Sequence, residues 1–254
     1  MWTNVPLTVP LLDVLLSEPE PKTRNDFLKY SKRITLDPNT ANNFLLLSKG
    51  NKKVTLLEEN QFYFGHPDRF TNCTQILSRE SLTGRCYWEV EWSGTEVDLA
   101  VSYKSISRSE GDCDFRNTDK SWTLYCHRQI YIFYHNRVET RVSVPVSSRV
   151  GVYLDHRAGV LSFYRVSGTM TLLHRVQTCF TQPLHAGVGF YSYGDSATFI
   201  EVVSITIKPN SSMQRLSEAG LDSVEESHGF RDAVERQNTR SVIHVHSYSG
   251  RNRN

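Results

Sequence analysis

The chain has 254 residues, of which 39% are hydrophobic and 11% aromatic, enough to bury the core of one large all-β domain or of two small domains. Lys and Arg number 29 and Asp and Glu number 27, so the formal charge is only +2, and the basic residues are scattered along the sequence. This balance argues against nucleic acid or an anionic membrane as the main partner.

Residues 1–22 are predicted to form a linker-like N-terminal segment. The stretch 1-MWTNVPLTVPLLDVLL-16 is apolar, but it lacks a basic start and is interrupted by proline and aspartate, so we expect neither a signal peptide nor a membrane span. The following 17-SEPEPKTR-24 is charged and rich in proline. Thr23, three residues before Asp26, then predicts the start of a short helix.

From residue 34 to about 207 the hydrophobicity alternates with period two in short runs separated by turn residues, which predicts β-strands. Because no long helical periodicity and no internal repeat interrupts these runs, we expect an antiparallel sandwich or barrel. The candidate strands are 34-ITL, 44-FLLLS, 53-KVTLL, 74-TQILS, 86-CYWEVEW, 98-DLAVSY, 122-WTLYC, 129-QIYIFY, 138-VETRV, 149-RVGVYLD, 160-VLSFYRV, 171-TLLHRV, 184-LHAGVGF and 197-ATFIEVV.

The strand 86-CYWEVEW-92 places its larger apolar residues on one face, and we expect Trp88 to contribute much of the core. Glu89 and Glu91 share the other face and resemble the carboxylate pair of a glycosidase. Catalytic carboxylates, however, must face each other across a substrate at about 5–9.5 Å. We therefore expect these two glutamates to lie on a solvated face.

The stretch 154-LDHRAGVLSFY-164 contains Asp155, His156 and Ser162, the residue types of a hydrolase triad. Neighbouring residues on a strand point to opposite faces, so the aspartate does not easily orient the histidine. The alternating residues on both sides and the turn residues around Gly159 instead predict a β-hairpin.

The five cysteines are widely spaced and odd in number, and none has the paired close spacing of a zinc site. We expect reduced, structural thiols in a cytoplasmic protein. The Cys126–His127 neighbours and 244-HVH-246 are too isolated to indicate a metal, so neither metal nor cofactor is expected. The five are Cys73, Cys86, Cys113, Cys126 and Cys179.

Residues 209–254 are rich in Ser, Asn, Arg and Glu and carry only scattered apolar side chains, so we expect a disordered tail. Two glycosylation sequons, at Asn72 (NCT) and Asn210 (NSS), would matter only in a secreted chain.

The order of several blocks resembles a PRY–SPRY domain, the C-terminal module of many tripartite-motif proteins and of several fish immune-receptor families. The resemblance covers about 24 to 207, and 20-EPKTRNDFLKYSKRITLDPNTA-41 is similar to the fish versions in particular. The blocks that carry it are 36-LDPNTANNFLLLS-48, 84-GRCYWEVEW-92, 119-DKSWTLY-125, 154-LDHRAGVLSFY-164 and 180-FTQPLHAGVGF-190.

The resemblance implies a bent β-sandwich of two antiparallel sheets with a short N-terminal helix, in which residues 23–208 form the domain. The PRY part spans about 23–76 and the SPRY part about 77–208. It also implies a cytoplasmic, non-enzymatic module that recognises a protein or peptide. Such a module forms the target-binding end of a tripartite-motif-type ubiquitin ligase or a related innate-immune protein, and a tripartite-motif partner chain is expected.

No RING, B-box or coiled-coil pattern is found in these residues, so the chain is not expected to ligate ubiquitin by itself. Two alternatives remain open. One is the C-terminal domain of a stonefish-toxin-like cytolysin, whose perforin-like region is not found here. The other is an unrecognised hydrolase.

The binding face is expected on loops, since loops on a rigid scaffold carry recognition. By resemblance, loop 104–121 is the variable specificity loop, the strand after it lines the binding surface, and loop 190–195 also takes part. These segments should converge at one end of the sandwich around an aromatic floor walled by charges. Alternatively, Tyr125 is half-buried core and His127 a strand-end residue. The candidate protein-binding residues are Lys104, Arg116, Asp119, Lys120, Tyr125, His127, Tyr191 and Tyr193.

Overall fold

The structure is a computed structural model and describes residues 19–109 and 113–202. The predictions for the first 18 residues and for the tail 209–254 lie outside these ranges. No helix in the described part of the chain has the length and apolarity that crossing a membrane requires.

The described residues form one short helix and thirteen strands, and the strands follow the predicted period-two segments closely. The segment 34-ITL is the exception, because only isolated bridges at Ser31 and Leu36 form there. The elements are α1 (Arg24–Leu28), β1 (Leu45–Ser48), β2 (Lys53–Leu56), β3 (Gln75–Leu77), β4 (Arg85–Ser93), β5 (Glu96–Tyr103), β6 (Ser121–His127), β7 (Ile130–His135), β8 (Val138–Val142), β9 (Arg149–Asp155), β10 (Val160–Val166), β11 (Met170–Gln177), β12 (Leu184–Gly189) and β13 (Ser196–Ile200).

The strands make two antiparallel sheets. One has seven strands in the order β1-β2-β13-β4-β9-β10-β11, and the other has six in the order β3-β12-β5-β6-β7-β8. Alternate residues of both sheets point inward and bury a common core that includes Trp88 of β4 and Leu124 of β6. The predicted all-β sandwich with a short N-terminal helix is therefore confirmed.

The hairpin predicted at 154-LDHRAGVLSFY-164 is present as β9, a turn and β10. Gly159 occupies the turn with φ of 71°, a left-handed conformation that glycine adopts without strain. Asp155 accepts a hydrogen bond from Arg85 at 2.8 Å, and the His156 ring bonds the Gln182 carbonyl at 2.8 Å. Ser162 is buried on β10, so these three side chains do not assemble a triad.

Helix α1 begins at a capping box in which Thr23 and Asp26 satisfy each other's backbone N–H groups. Its apolar side chains, Phe27 and Leu28, pack on the outer face of the seven-stranded sheet against Tyr87 and Tyr153. The helix thus covers part of a sheet face that the sequence alone predicts to be solvated.

The prediction of a solvated Glu89 is wrong for this reason. Its side chain is fully buried under α1 and accepts two hydrogen bonds from Arg24, at 2.7 and 3.1 Å, and one from the Tyr87 hydroxyl at 2.8 Å. A buried carboxylate is tolerated when it is paired and hydrogen-bonded. Glu91, two residues on and beyond the helix, is exposed as predicted.

The predicted loop 104–121 packs on the outer face of the six-stranded sheet. Phe115 is its hydrophobic anchor and lies against Phe70, with ring centroids 6.1 Å apart. The carbonyl oxygen of Phe115 accepts hydrogen bonds from Ser121 at 2.5 Å and Thr123 at 3.1 Å on β6. Gly187 makes room for the ring, because a Cβ there would lie 2.7 Å from Phe115. This loop is therefore an ordered layer of the fold in its described residues.

A disulfide joins Cys73 to Cys113 and fastens this loop to the segment before β3, with 6.1 Å between the two Cα atoms. The prediction that all cysteines are reduced is wrong at this pair, because the fold brings together two residues that lie 40 apart in the sequence. Cys86, Cys126 and Cys179 are free thiols as predicted.

Candidate functional site

The guanidinium of Arg116 lies among tyrosine rings from three separate segments. It is 4.3 Å from the ring centre of Tyr125 on β6, 4.0 Å from that of Tyr191 and 5.4 Å from that of Tyr134 on β7. These distances are within the range of a cation–π interaction. Together with Asp98 of β5, these residues are called the tyrosine–arginine cluster below.

Asp98 holds the cluster together. Its buried carboxylate accepts hydrogen bonds from Arg116 Nε at 2.8 and 3.1 Å and from the Tyr191 hydroxyl at 2.6 Å. Burial raises the pKa of Asp98 to about 6, although Arg116 and Tyr191 act to lower it. Burial also raises the pKa of the Tyr191 hydroxyl, and the neighbouring Asp98 charge raises it further. These side chains therefore hold one another in place.

Strand register explains why this cluster forms. Asp98 pairs with Tyr125 across β5 and β6, and Glu96 pairs with His127 two residues along on the same outer face. The Tyr125 hydroxyl donates to Glu96 Oε2 at 2.6 Å. Burial raises the pKa of Tyr125, and the Glu96 carboxylate adds to this effect. The tyrosine ring is thus held against the sheet by its own hydroxyl.

Loop 190–195 is attached to the same end of the sheet. The carboxylate of Asp195 accepts hydrogen bonds from the backbone N–H groups of Thr95, at 2.7 Å, and Glu96, at 3.0 Å. The approach is so close that Gly94, with φ of 114°, has no space for a Cβ. Within this loop Tyr191 joins the cluster, while Tyr193 is 62% exposed.

The predicted convergence of site residues occurs for some of them. Arg116, Tyr125 and Tyr191 meet in the cluster, and His127 stacks beside Tyr125 with ring centroids 6.2 Å apart. Tyr193 extends from the adjoining loop. Tyr125 is half-buried as the alternative expects, but it lies on the outer face of the sheet and outside the hydrophobic core, while His127 is indeed the last residue of β6.

The predicted grouping of the other charged residues with these is wrong. Lys104 pairs with Asp68 at 3.1 Å, and Lys120 donates to the Ser105 carbonyl at 2.9 Å. Both lie where β5 ends and β6 begins, with exposed Asp119 beside them. This is about 20 Å along the strands from the register of Asp98, because each residue advances about 3.3 Å. Of the four charged residues predicted for the site, only Arg116 lies beside Asp98, because its part of the loop crosses the outer face of the sheet.

The sequence reasoning missed Asp98, Glu96, Tyr134 and Asp114. Asp98 carried a weak signal, because it is a charged residue between apolar neighbours in the strand 96-EVDLAVSY-103. Tyr134 lies on the outer face of β7, on the same side of the sheet as Tyr125. Finding either requires the strand pairing, which the sequence pattern alone does not specify.

A cavity of about 180 Å³ adjoins the cluster. Tyr191 belongs to both, and the disulfide residue Cys73 lies in the wall. The described lining residues are Asn72, Cys73, Thr74, Gln75, Asp114, Gly189, Phe190 and Tyr191. No group of three or more His, Cys, Asp or Glu that would hold a metal ion occurs among the residues the structure describes.

Comparison with known proteins gives consistent matches over this domain. The pattern of the SPRY-associated domain, PRY, matches residues 34–82, and that of the SPRY domain matches residues 85–202. Tripartite motif-containing protein 16 of Mus musculus is 36% identical over 175 residues, which are 67% of this chain and 32% of that protein. Stonustoxin subunit alpha of Synanceia horrida is 37% identical over 184 residues, 70% of this chain and 26% of the toxin subunit.

Two solved structures share the fold. A stonustoxin structure superposes with a TM-score of 0.66 at 33% identity and covers 70% of this chain and 30% of the toxin chain. The crystal structure of the TRIM65 PSpry domain has the same TM-score at 27% identity, and it covers 73% of this chain and all of that domain. The chain therefore spans about a quarter to a third of the length of these two curated relatives.

Proposed function

Because the chain belongs to the PRY–SPRY family, we propose that it is a protein-recognition module that binds a protein or peptide through the tyrosine–arginine cluster and the exposed side chains around it. The observation that supports this proposal most directly is the meeting of three separate segments at one partly exposed aromatic surface. Tyrosine and arginine dominate the binding energy of many interfaces, because they offer large contact areas.

The preorganised state of the surface also supports recognition. Asp98 and Glu96 anchor the ring hydroxyls of Tyr191 and Tyr125 from below. A partner therefore meets side chains whose rotamers are already restricted, and binding costs less conformational entropy. His127 and Tyr193 lie at the rim, where they would contribute to selectivity.

The biological setting proposed is the target-binding end of a tripartite-motif-type ubiquitin ligase, or a related innate-immune protein, in the cytoplasm. The similarity to tripartite motif-containing protein 16 supports this setting. A tripartite-motif partner chain would then supply the ligase activity. In the reducing cytoplasm a bond such as Cys73–Cys113 would be transient or redox-sensing.

The test uses a phage-displayed library of random peptides, selected on the purified chain. We expect Tyr125→Ala to weaken the selected peptides by about thirtyfold, because losing a central anchor costs about 2 kcal/mol. Lys104→Ala is the matched control, since its side chain lies at the far end of the strands. It should change the dissociation constant by less than about twofold. Circular dichroism checks that both variants are folded.

The proposal fails if Tyr125→Ala binds like the wild type while Glu91→Ala abolishes binding. Glu91 is exposed on the other sheet, so this result would place the contact on the outer face of the seven-stranded sheet.

A second candidate function, the C-terminal domain of a cytolysin, is favoured by the 37% identity to a stonustoxin subunit. Passage through an oxidising secretory compartment would preserve the Cys73–Cys113 bond and permit a glycan on the exposed Asn72. A mass loss after N-glycosidase treatment of the chain isolated from animal cells would favour this candidate. An unmodified Asn72 would favour the cytoplasmic module.

A further inference from the structure

The cavity beside Tyr191, called the Asp114 pocket here, has a single charged residue among its described lining residues. Asp114 is half-exposed and forms no ion pair within the described part of the chain. Its Oδ1 accepts the backbone N–H of Arg116 at 2.8 Å, and the Tyr191 hydroxyl lies 3.5 Å from each carboxylate oxygen. At that distance the hydroxyl gives little stabilisation. The carboxylate therefore keeps most of its capacity to accept hydrogen bonds.

The nearby cation does not neutralise this charge. Arg116 is engaged by Asp98 through its Nε atom, at 2.8 and 3.1 Å. One guanidinium thus faces two carboxylates, Asp98 and Asp114. Because Asp98 takes the direct hydrogen bonds, Asp114 leaves the pocket with a negative charge.

The polar wall of the pocket presents mainly acceptors. The side-chain amide of Gln75 donates to the Cys113 carbonyl at 2.5 Å. The amide of Asn72 donates to the Ser109 carbonyl, and the hydroxyl of Thr74 donates to the Phe190 carbonyl. These donors are already engaged by backbone carbonyls, whereas Asp114 lines the cavity with a carboxylate that accepts a close hydrogen bond only from the Arg116 N–H among the described residues. A ligand group rich in donors fits this wall, and a second carboxylate would be repelled.

The remaining wall is aromatic. The Phe190 ring is buried in the core between the sheets, whereas Tyr191 is 44% exposed, so the Tyr191 ring supplies the apolar surface next to the carboxylate. This combination suits a side chain with an apolar stem and a cationic end.

We propose that the Asp114 pocket receives an arginine or lysine side chain of the bound protein or peptide. This inference rests on the proposed recognition function and adds the charge of the partner to it. The cationic end contacts Asp114, and the methylene stem lies along the exposed ring of Tyr191. The partner segment that reaches the tyrosine–arginine cluster is accordingly basic.

The test needs no natural partner. The ¹⁵N-labelled chain is titrated with N-acetyl-arginine methylamide and, in parallel, with the uncharged citrulline analogue of the same shape. The arginine probe should shift the amide signals of residues 72–75 and 189–191, with an apparent affinity about tenfold higher than that of the citrulline probe, as expected for a charge-assisted contact.

Asp114→Asn should remove this difference between the probes, because it removes the charge while its amide oxygen still accepts the Arg116 N–H. Asp119→Asn is the matched control: it is an exposed aspartate of the same loop outside the pocket, and it should leave both affinities unchanged. Equal affinities for the two probes, or an unaltered preference in Asp114→Asn, would overturn the inference.

The peptide selection separates this inference from the proposed function. Selected peptides that depend on Tyr125 and are enriched in arginine or lysine support both. Peptides that depend on Tyr125 but lack basic residues, and bind Asp114→Asn normally, overturn the cationic pocket and leave the recognition function standing. Peptides that ignore Tyr125 overturn the function, while the titration still decides the charge preference of the pocket.

Discussion

At the scale of single residues, buried acidic groups hold both outer faces of the sandwich. Glu89 joins helix α1 to the seven-stranded sheet through Arg24, and Asp98 joins the long loop to the six-stranded sheet through Arg116. Both carboxylates come from strand positions where an outward-facing residue is normally solvated. Each is buried because a neighbouring element supplies an arginine to cover it.

Asp98 should make the stability of the fold depend on pH. Its pKa is raised by burial to about 6 in the folded chain, against an ordinary value of 3.8. The folded state therefore binds the proton more tightly, and this contribution to stability is complete below about pH 4 and is lost as pH rises through about 6. Over that window the free energy of unfolding should fall by about 2–3 kcal/mol on this account.

The measurement is urea unfolding between pH 4 and 7, compared with Asp98→Asn. The variant lacks the titrating group, so its free energy of unfolding should fall by about 2–3 kcal/mol less than that of the wild type over this pH range. Parallel profiles for the two proteins would show that the carboxylate does not titrate in this range.

Trp88 is the residue with the largest expected effect on the core. Its side chain is buried between the two sheets, and Trp88→Ala should destabilise the chain by about 3–5 kcal/mol, because it leaves a cavity and loses apolar contacts. The denaturant midpoint measures the loss. Phe62→Ala serves as control, since that ring is 86% exposed and its removal should cost little. Similar midpoints for both variants would contradict the packing described.

At the scale of elements, the disulfide Cys73–Cys113 should contribute more to stability than any single contact of the long loop. It closes a segment of 40 residues, for which the chain-entropy relation gives about 3–4 kcal/mol. Cys73→Ser with Cys113→Ser should lower the free energy of unfolding by that amount, measured by denaturant unfolding under non-reducing conditions. Cys179→Ser, at an exposed free thiol, is the control. If a reductant leaves the midpoints of the wild type and of Cys179→Ser unchanged, the bond is not holding the loop.

The elements were also the best predicted part of the molecule. Alternation of apolar residues located thirteen strands, because each strand buries one face against the opposite sheet. It did not predict that α1 covers Glu89 or that Phe115 anchors the long loop on an outer face. Both contacts join residues far apart in sequence, and a period-two pattern carries no information about what lies above the outward face.

The candidate site was predicted only in part, because its contacts also join residues that lie far apart in the sequence. The aromatic residues Tyr125 and Tyr191 were found from the resemblance and from their loop or strand positions. Lys104 and Lys120 were misplaced, because a loop's two ends attach at the far end of the strands while its middle crosses the sheet. A sequence shows that a loop is long but does not show its path.

At the scale of the whole molecule, we expect the folded domain to be independent of the tail. A chain ending at Lys208 should melt within about 2 °C of the full chain, since residues 209–254 lack a core-forming pattern. Differential scanning calorimetry of the two chains measures this. A marked drop in the melting temperature of the shorter chain would mean that the tail packs on the domain.

Because Asp195 anchors loop 190–195, the residues of this surface differ in how freely they can be substituted during evolution. The carboxylate fixes the loop backbone to Thr95 and Glu96, while Tyr193 at the rim is 62% exposed and His127 accepts only a long hydrogen bond, 3.4 Å, from the Gln129 N–H of its own turn. Under the proposed recognition function, substitutions at the rim would alter which target is bound with little effect on the fold, whereas Asp195 and Asp98 are needed to hold it. Under the same proposal, a lineage that meets changing targets would gain new specificities by few mutations, each tolerated by a scaffold that does not have to refold around it.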